Sequence, residues 1–322
     1  MHKVTRRRAF RIVAAAAGLP LLIAGVRAAQ PKPRFFSWQG EVLGAASELT
    51  LWHSDEALAR RAILKVRHEI ARYENIFSLY RDSEVTRLNR DGVVRPSPEL
   101  LEVIDASQRL GELSGGAFDI TVQPLWQVYE RHFWSRSDVA PDILARARDV
   151  ARAQVDFRRV QAGARRVELP PGMTITLNGI AQGYITDRVT DLLRNDGFEH
   201  AVVDLGEWRA LGIHPEGRPW RAATRSGEIE LSDNALAVSS GSGTTFEPSG
   251  RFHHIFDPAT GASAAALTEA AVIAPRAMTA DALATAICVV GEERAADLLA
   301  EYPGTRTIVT RLDGTRFEIS RR

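Results

Sequence analysis

The chain has 322 residues, with 41 Lys and Arg against 40 Asp and Glu, 45% hydrophobic residues, 25% charged residues and one cysteine. At roughly 150 residues per domain this suggests about two domains or one large one with volume for a real core, and the composition argues against disorder, collagen and coiled coil. A formal charge of +1 lacks the basic excess used to neutralise phosphates, which argues against a nucleic-acid protein.

The near-zero total hides an asymmetry. The first 28 residues carry Lys3, Arg6, Arg7, Arg8, Arg11 and Arg27 and no acid; setting those six aside leaves 35 basic against 40 acidic groups, a remainder near −5. An apolar run, Ile12 to Val26, follows the basic cluster, and Val26-Arg27-Ala28 offers small residues at −3 and −1 of a cleavage site. This is the pattern of an export signal, and the run is shorter than the ~20 residues of a membrane helix. Arg7-Arg8-Ala9-Phe10 resembles the twin-arginine motif. An uncleaved basic anchor is the alternative. No later stretch reaches spanning length, so the mature chain is expected to be soluble outside the cytoplasm.

Residues 34–53 are strand-like, with Glu48-Leu49-Thr50-Leu51-Trp52 alternating. Ser54 reads as the N-cap of an amphipathic helix carrying Leu58, Ala62, Val66, Ile70, Tyr73 and Phe77 on one face. Ser97-Pro98-Glu99 opens a second helix running to about Ser114, and residues 141–152 suggest a surface helix. Strands are expected near 155–161, 165–169 and 173–177, then a helix from Gly179 to Asn195 closed by Gly197 at C′. Further strands are expected at 200–205, 219–224, 228–231, 235–240, 252–256 and 269–274. Thr279 reads as the cap of a helix over Asp281 to Val289; a helix at 292–301 and strands at 306–310 and 315–319 end the chain. The irregular mixture predicts an α+β fold of mixed sheets with packed helices, and no repeat or linker separates independent domains. Cys288 cannot form an internal disulfide, and in its apolar run it reads as a buried small hydrophobe.

Some segments are richer in polar and turn-forming residues than a core needs. Asp281 and Thr285 are four apart, so both oxygens share one helix face. With a backbone carbonyl they would form a partial Mg²⁺ site; alternatively Asp281 is a first-turn acid stabilised by the helix dipole. Gly179 and Gly183 in Thr176-Leu177-Asn178-Gly179-Ile180-Ala181-Gln182-Gly183-Tyr184 would let backbone amides approach a phosphate, or would serve a tight turn and helix packing. The segment is neither GxGxxG nor a P-loop. His254, ahead of the turn Asp257-Pro258-Ala259-Thr260-Gly261, could bind phosphate or take a proton from an alcohol, or be structural. Its neighbour His253 points to the other face of a strand, and no partner lies at zinc spacing. Ser239-Ser240-Gly241-Ser242-Gly243 lacks the leading glycine and following helix of a nucleophile elbow.

Taken together the segments resemble the ApbE family of flavin transferases, the FAD:protein FMN transferases, over about Leu43 to Leu299. The similarity is carried, in the family's order, by Ile76-Phe77-Ser78-Leu79-Tyr80-Arg81 with Asp82-Ser83-Glu84 and Arg87-Leu88-Asn89, by Gly116-Ala117-Phe118-Asp119-Ile120-Thr121-Val122 with Pro124-Leu125-Trp126, and by Asn178-Gly179-Ile180-Ala181-Gln182-Gly183-Tyr184 with Asp187. It continues through Val203-Asp204-Leu205-Gly206, Ser240-Gly241, His254-Ile255-Phe256-Asp257-Pro258 with Thr260-Gly261, and Ala280-Asp281-Ala282-Leu283-Ala284-Thr285. The chain departs from the family at Leu43-Gly44-Ala45-Ala46, where Met-Gly-Thr is frequent. It also has Thr176 and Gln182 where the family often has an acid and a lysine, and Glu207 in place of a second glycine.

The resemblance implies a single catalytic unit of two lobes over residues 34–322 behind an export signal at 1–28, acting in the periplasm. The implied enzyme uses Mg²⁺ to cleave the FAD pyrophosphate and joins FMN by a phosphoester to a Thr or Ser of an exported partner protein, with AMP leaving. By the same resemblance, Asp281, Thr285 and the Gly179 carbonyl would hold the metal, and Tyr80, Ala117, Phe118, Asp119, Thr176, Gln182 and His254 would contact FAD. Its pKa range and placement make His254 the candidate general base, alongside Asp281 as the second catalytic residue. An FAD pyrophosphatase and a flavin-binding protein without turnover are the competing functions. With a remainder near −5, the phosphate site would depend on a cation, backbone amides and local residues, and not on a positive overall field.

Overall fold

The computed structural model describes residues 32–134, 141–224 and 227–320; the export signal expected at 1–28 lies outside them. Pro33–Arg322 form one compact unit. The strand-like stretch at 34–53 folds as a hairpin, β1 (Arg34–Val42) against β2 (Ala45–His53). Its turn residues Leu43 and Gly44 both take positive φ, 50° and 87°, the backbone of a tight two-residue hairpin.

Helix α1 (Glu56–Phe77) buries Ala62, Val66, Ile70, Tyr73 and Phe77 as its spacing predicts. Its cap is Asp55 and not Ser54: the Asp55 carboxylate accepts from Leu58 N at 3.0 Å. Helix α2 (Glu84–Asp91), unanticipated, starts at a capping box in which Ser83 and Thr86 exchange side-chain bonds. After β3 (Val93–Val94), helix α3 (Pro98–Leu113) is capped by Ser97 as expected. Helix α4 (Gln123–Trp134), also unanticipated, precedes α5 (Pro141–Arg152).

Two expected strands dissolve. Residues 155–161 hold a 3-10 turn, Phe157–Arg159, and only the start of β4 (Gln161–Gly163), which pairs with β5 (Arg166–Glu168). Residues 173–177 form no strand; the Asn89 side chain takes the place of a strand neighbour at Ile175, accepting from its N at 2.7 Å and donating to its carbonyl at 2.8 Å. Helix α6 (Ala181–Asn195) starts two residues later than expected and ends as predicted, with Gly197 at φ 88° and Phe198 N bonded back to Leu193 O.

The remaining strands are β6 (Ala201–Asp204), β7 (Trp208–Leu211), β8 (Trp220–Thr224), β9 (Gly227–Leu231), β10 (Ala235–Ser240), β11 (Glu269–Ala274), β12 (Arg306–Thr310) and β13 (Arg316–Ser320). The strand expected at 252–256 is reduced to the isolated bridges Thr245–His253 and Phe256–Ser263. An eight-stranded sheet runs β1-β2-β6-β7-β10-β11-β12-β13, with its neighbours antiparallel.

Strand β11 explains the layering, because it is buried along its whole length. Ala270, Val272 and Ala274 enter the main core with α1, α6 and helix α7 (Ala277–Val290), whereas Ala271 and Ile273 join Trp220, Ile229 and Leu231 of the β8-β9 hairpin. Alternation puts successive residues on opposite faces, so a strand covered on both sides reads as continuously apolar. Helix α8 (Glu292–Ala300) closes this side. A separate cluster of Leu125, Tyr129, Ala151, Phe246 and Phe256 joins α4 and α5 to the segment after β10. The fold is α+β, with α1, α6, α7 and α8 packed on the main sheet. Cys288 is buried, its thiol pushed up to about 12 by burial. No helix of the described residues is long and apolar enough to cross a membrane.

Candidate active site

A cavity of about 810 Å³ opens where α7, the start of α6, the β1-β2 turn, the 117–123 segment and the 239–244 and 254–256 segments meet. That volume lies within the ~300–1,000 Å³ of small-molecule sites. Every residue singled out for the site lines it: Tyr80, Ala117, Phe118, Asp119, Thr176, Gly179, Gln182, His254, Asp281 and Thr285.

Asp281 and Thr285 face the cavity from adjacent turns of α7. The helix begins at Ala277, so Thr279 is not its cap and Asp281 is not a first-turn acid. Capping is tertiary: Asp187 of α6 accepts from Ala277 N at 2.8 Å and Met278 N at 3.0 Å. Asp281 is 3% exposed, and one of its oxygens accepts from Gly183 N at 3.0 Å. The Thr285 hydroxyl lies 3.3 Å from that of Ser239, and a Cβ placed on Gly179 would come within 3.1 Å of it. One buried carboxylate, one hydroxyl and the adjacent Gly179 backbone thus converge. These are hard oxygen donors, of a kind that suits Mg²⁺ with substrate and water as its other ligands.

Electrostatics favour a cation there. Burial raises the Asp281 carboxyl to about 7, and burial, with help from Glu48, raises Asp204 to about 6. Glu207, which also lines the cavity, is pushed well above its usual range by burial and then by the charges of Asp281 and Asp204. The sequence marked Glu207 only as a departure from a glycine; in the structure it adds a buried carboxyl to this wall. Glu130, Trp208 and Glu269 are further lining residues that the sequence did not single out.

His254 presents its ring edge to the cavity. Its Nδ1 lies 3.1 Å from the Thr244 carbonyl, which can only accept, so Nδ1 carries the proton and Nε2 is left as an acceptor. Burial lowers its pKa, so the neutral ring persists below the ordinary histidine range. His253 instead contacts the Ala264 carbonyl at 3.0 Å and does not line the cavity.

The remaining residues divide between rim and frame. Tyr80, 70% exposed, lies against Gly44 of the hairpin turn, so its ring forms an aromatic rim. Asp119 is committed to its own loop: its carboxylate accepts from Thr121 N, the Thr121 hydroxyl and Phe157 N at 2.7, 2.6 and 3.0 Å. Its role is to shape the Ala117-Phe118 wall. Thr176 is tied through its backbone N to Ile120 O, and Gln182 packs on Gly206.

The ApbE family model matches residues 43–309 of the chain. The FAD:protein FMN transferase of Vibrio cholerae is 34% identical over 234 residues, covering 67% of this chain and 70% of that protein. One from Klebsiella pneumoniae is 27% identical over 281 residues, covering 81% and 80%. Among solved structures, the flavin transferase ApbE of Vibrio cholerae superposes with a TM-score of 0.76 at 26% identity, covering 90% of this chain and 98% of that one. The apo flavinyl transferase ApbE of Pseudomonas stutzeri gives 0.75 at 25% identity, covering 91% and 96%. Family model, relatives and fold agree with the residues gathered around the cavity: the chain belongs to the ApbE family.

Proposed function

We propose that this protein transfers the FMN half of FAD to a Thr or Ser hydroxyl of an exported partner protein, with AMP as the leaving group. The observation that carries this reading is the convergence of Asp281, Thr285, Gly179 and His254 on one cavity with an aromatic rim. Its support from outside the chain is the activity named for its relatives. Mg²⁺ held by Asp281, Thr285 and the Gly179 carbonyl would supply charge neutralisation at the pyrophosphate. Tyr80 and Phe118 offer aromatic faces to the flavin, and the Asp119 loop and Thr176 fix the wall it lies against. The acceptor oxygen attacks the FMN phosphorus, the bond to the AMP phosphate oxygen breaks, and the hydroxyl proton passes to Nε2 of His254.

Incubation of the mature protein with FAD, Mg²⁺ and a candidate redox partner tests the reading. Covalent FMN on the partner, lost with EDTA, is the expected result. Free FMN and AMP would mark a pyrophosphatase, and unchanged FAD a binding protein. For His254→Gln we expect kcat to fall ~10²-fold or more at saturating FAD, in line with loss of a general base. Undiminished transfer would remove His254 from the chemistry.

Export completes the proposal. The twin-arginine-like leader at 1–28 would deliver a unit spanning 34–322 to the periplasm. Fractionation of cells expressing the full chain, alongside an Arg7→Lys/Arg8→Lys variant retained in the cytoplasm, checks it.

A further inference from the structure

We propose that Asp187 is the positioning residue of the cation site, acting through α7, and that Arg209 and Arg276 hold its carboxylate in place. The inference rests on the assignment of the cation to Asp281 and Thr285.

Helix α7 has no side-chain cap of its own, since its N-cap residue Arg276 makes no such bond. Its first two amides, Ala277 N and Met278 N, donate to the two oxygens of Asp187. Asp187 is 1% exposed, paired with the equally buried Arg209 of β7 and with Arg276, whose Nε is 3.2 Å away. One turn earlier on α6, Gly183 N donates to Asp281. Residues 183 and 187 are four apart on one α6 face, and residues 277 and 281 are four apart on α7. The helices are therefore tied at two points one turn apart. Such a clamp sets both the axial position of α7 and its rotation. Rotation decides whether Asp281 and Thr285 meet the Gly179 backbone, a geometry with a tolerance of about 0.5 Å and 10–20°. An ordinary cap supplied from within α7 would satisfy the same amides without fixing that rotation against α6.

The test is Mn²⁺ binding to the metal-free protein, followed by electron paramagnetic resonance, beside thermal unfolding. Asp187→Asn should weaken Mn²⁺ at least tenfold and lower Tm, because Arg209 is left buried without its partner. The double variant Asp187→Leu/Arg209→Leu removes both charges and should regain Tm while leaving Mn²⁺ binding weak. Ala277→Pro deletes one tied amide at a first helical position, where proline is accepted. The preceding Arg276 is already extended, φ −128° and ψ 139°. This variant should also weaken Mn²⁺ with Asp187 and both arginines intact. If Mn²⁺ affinity recovers with Tm in the double variant, or is unchanged in Ala277→Pro, Asp187 is only a structural ion-pair partner and the inference falls. If the wild type binds Mn²⁺ no better than Asp281→Asn, the cation assignment itself fails.

Discussion

Asp281→Asn is expected to cut flavin transfer severely and, in metal-free protein above pH 7, to raise stability. The two effects share one cause. Asp281 is buried beside Glu207, and burial lifts its carboxyl from an ordinary 3.8 to about 7. Between about pH 4 and 7 the folded state therefore holds a proton that the unfolded chain has released. Stability falls as pH rises through that window, and the full cost is present above it. Three pKa units correspond to about 4 kcal/mol as a ceiling. Asparagine cannot ionise, so its variant should show a flatter profile and relieve the repulsion on Glu207. The activity effect has the opposite sign: without the carboxylate the cation loses its only charged ligand in the assigned set, and transfer should drop by ~10²–10³-fold or more. Urea denaturation of both proteins from pH 5 to 8, with and without Mg²⁺, tests the pair of claims. Mg²⁺ should stabilise the wild type and leave the variant unchanged. A pH-independent wild type, or a variant within tenfold of normal transfer, would refute the account.

What the sequence discloses of this site follows from which interactions are local. Asp281 and Thr285 are legible because a spacing of four on a helix fixes a shared face whatever surrounds it. The α1 stripe and the Gly197 stop are legible for the same reason. Thr279 misleads because the cap of α7 arrives from Asp187, ninety residues before Ala277 in the chain. Residues 173–177 mislead because Asn89 substitutes for a neighbouring strand. Helix α2, eight residues long, is too short for periodicity to register. Tyr80, Thr176 and Gln182 carry no pattern of their own, and only the family resemblance brought them to the site. Glu207 shows the limit of that resemblance: a residue absent from the family pattern adds a buried carboxyl to the cavity wall. The mutual repulsion of Glu207, Asp281 and Asp204 is what a bound cation would relieve.

Gly183→Ala should cost both stability and flavin transfer. A Cβ at this position would lie 2.4 Å from the Ala277 carbonyl oxygen, 2.6 Å from its carbon and 2.8 Å from Asp281 Cβ. The first two are backbone atoms that cannot swing aside, so α6 and α7 must separate. Overpacking of this kind costs ~1–3 kcal/mol or more, working against the roughly 1 kcal/mol by which alanine is the better helix former. Separation also stretches the Gly183 N to Asp281 bond and shifts the carboxylate, and a displacement near 1 Å can cost ~10²-fold in rate. Gly179→Ala is the instructive comparison. Its closest neighbour is the Thr285 hydroxyl at 3.1 Å, a side-chain atom able to turn away, so it should perturb cation binding with little loss of Tm. Differential scanning calorimetry, Mn²⁺ titration and FMN transfer on both variants separate the cases. Wild-type Tm and transfer in Gly183→Ala would show that the two helices yield freely, and the close crossing would then have no part in holding Asp281.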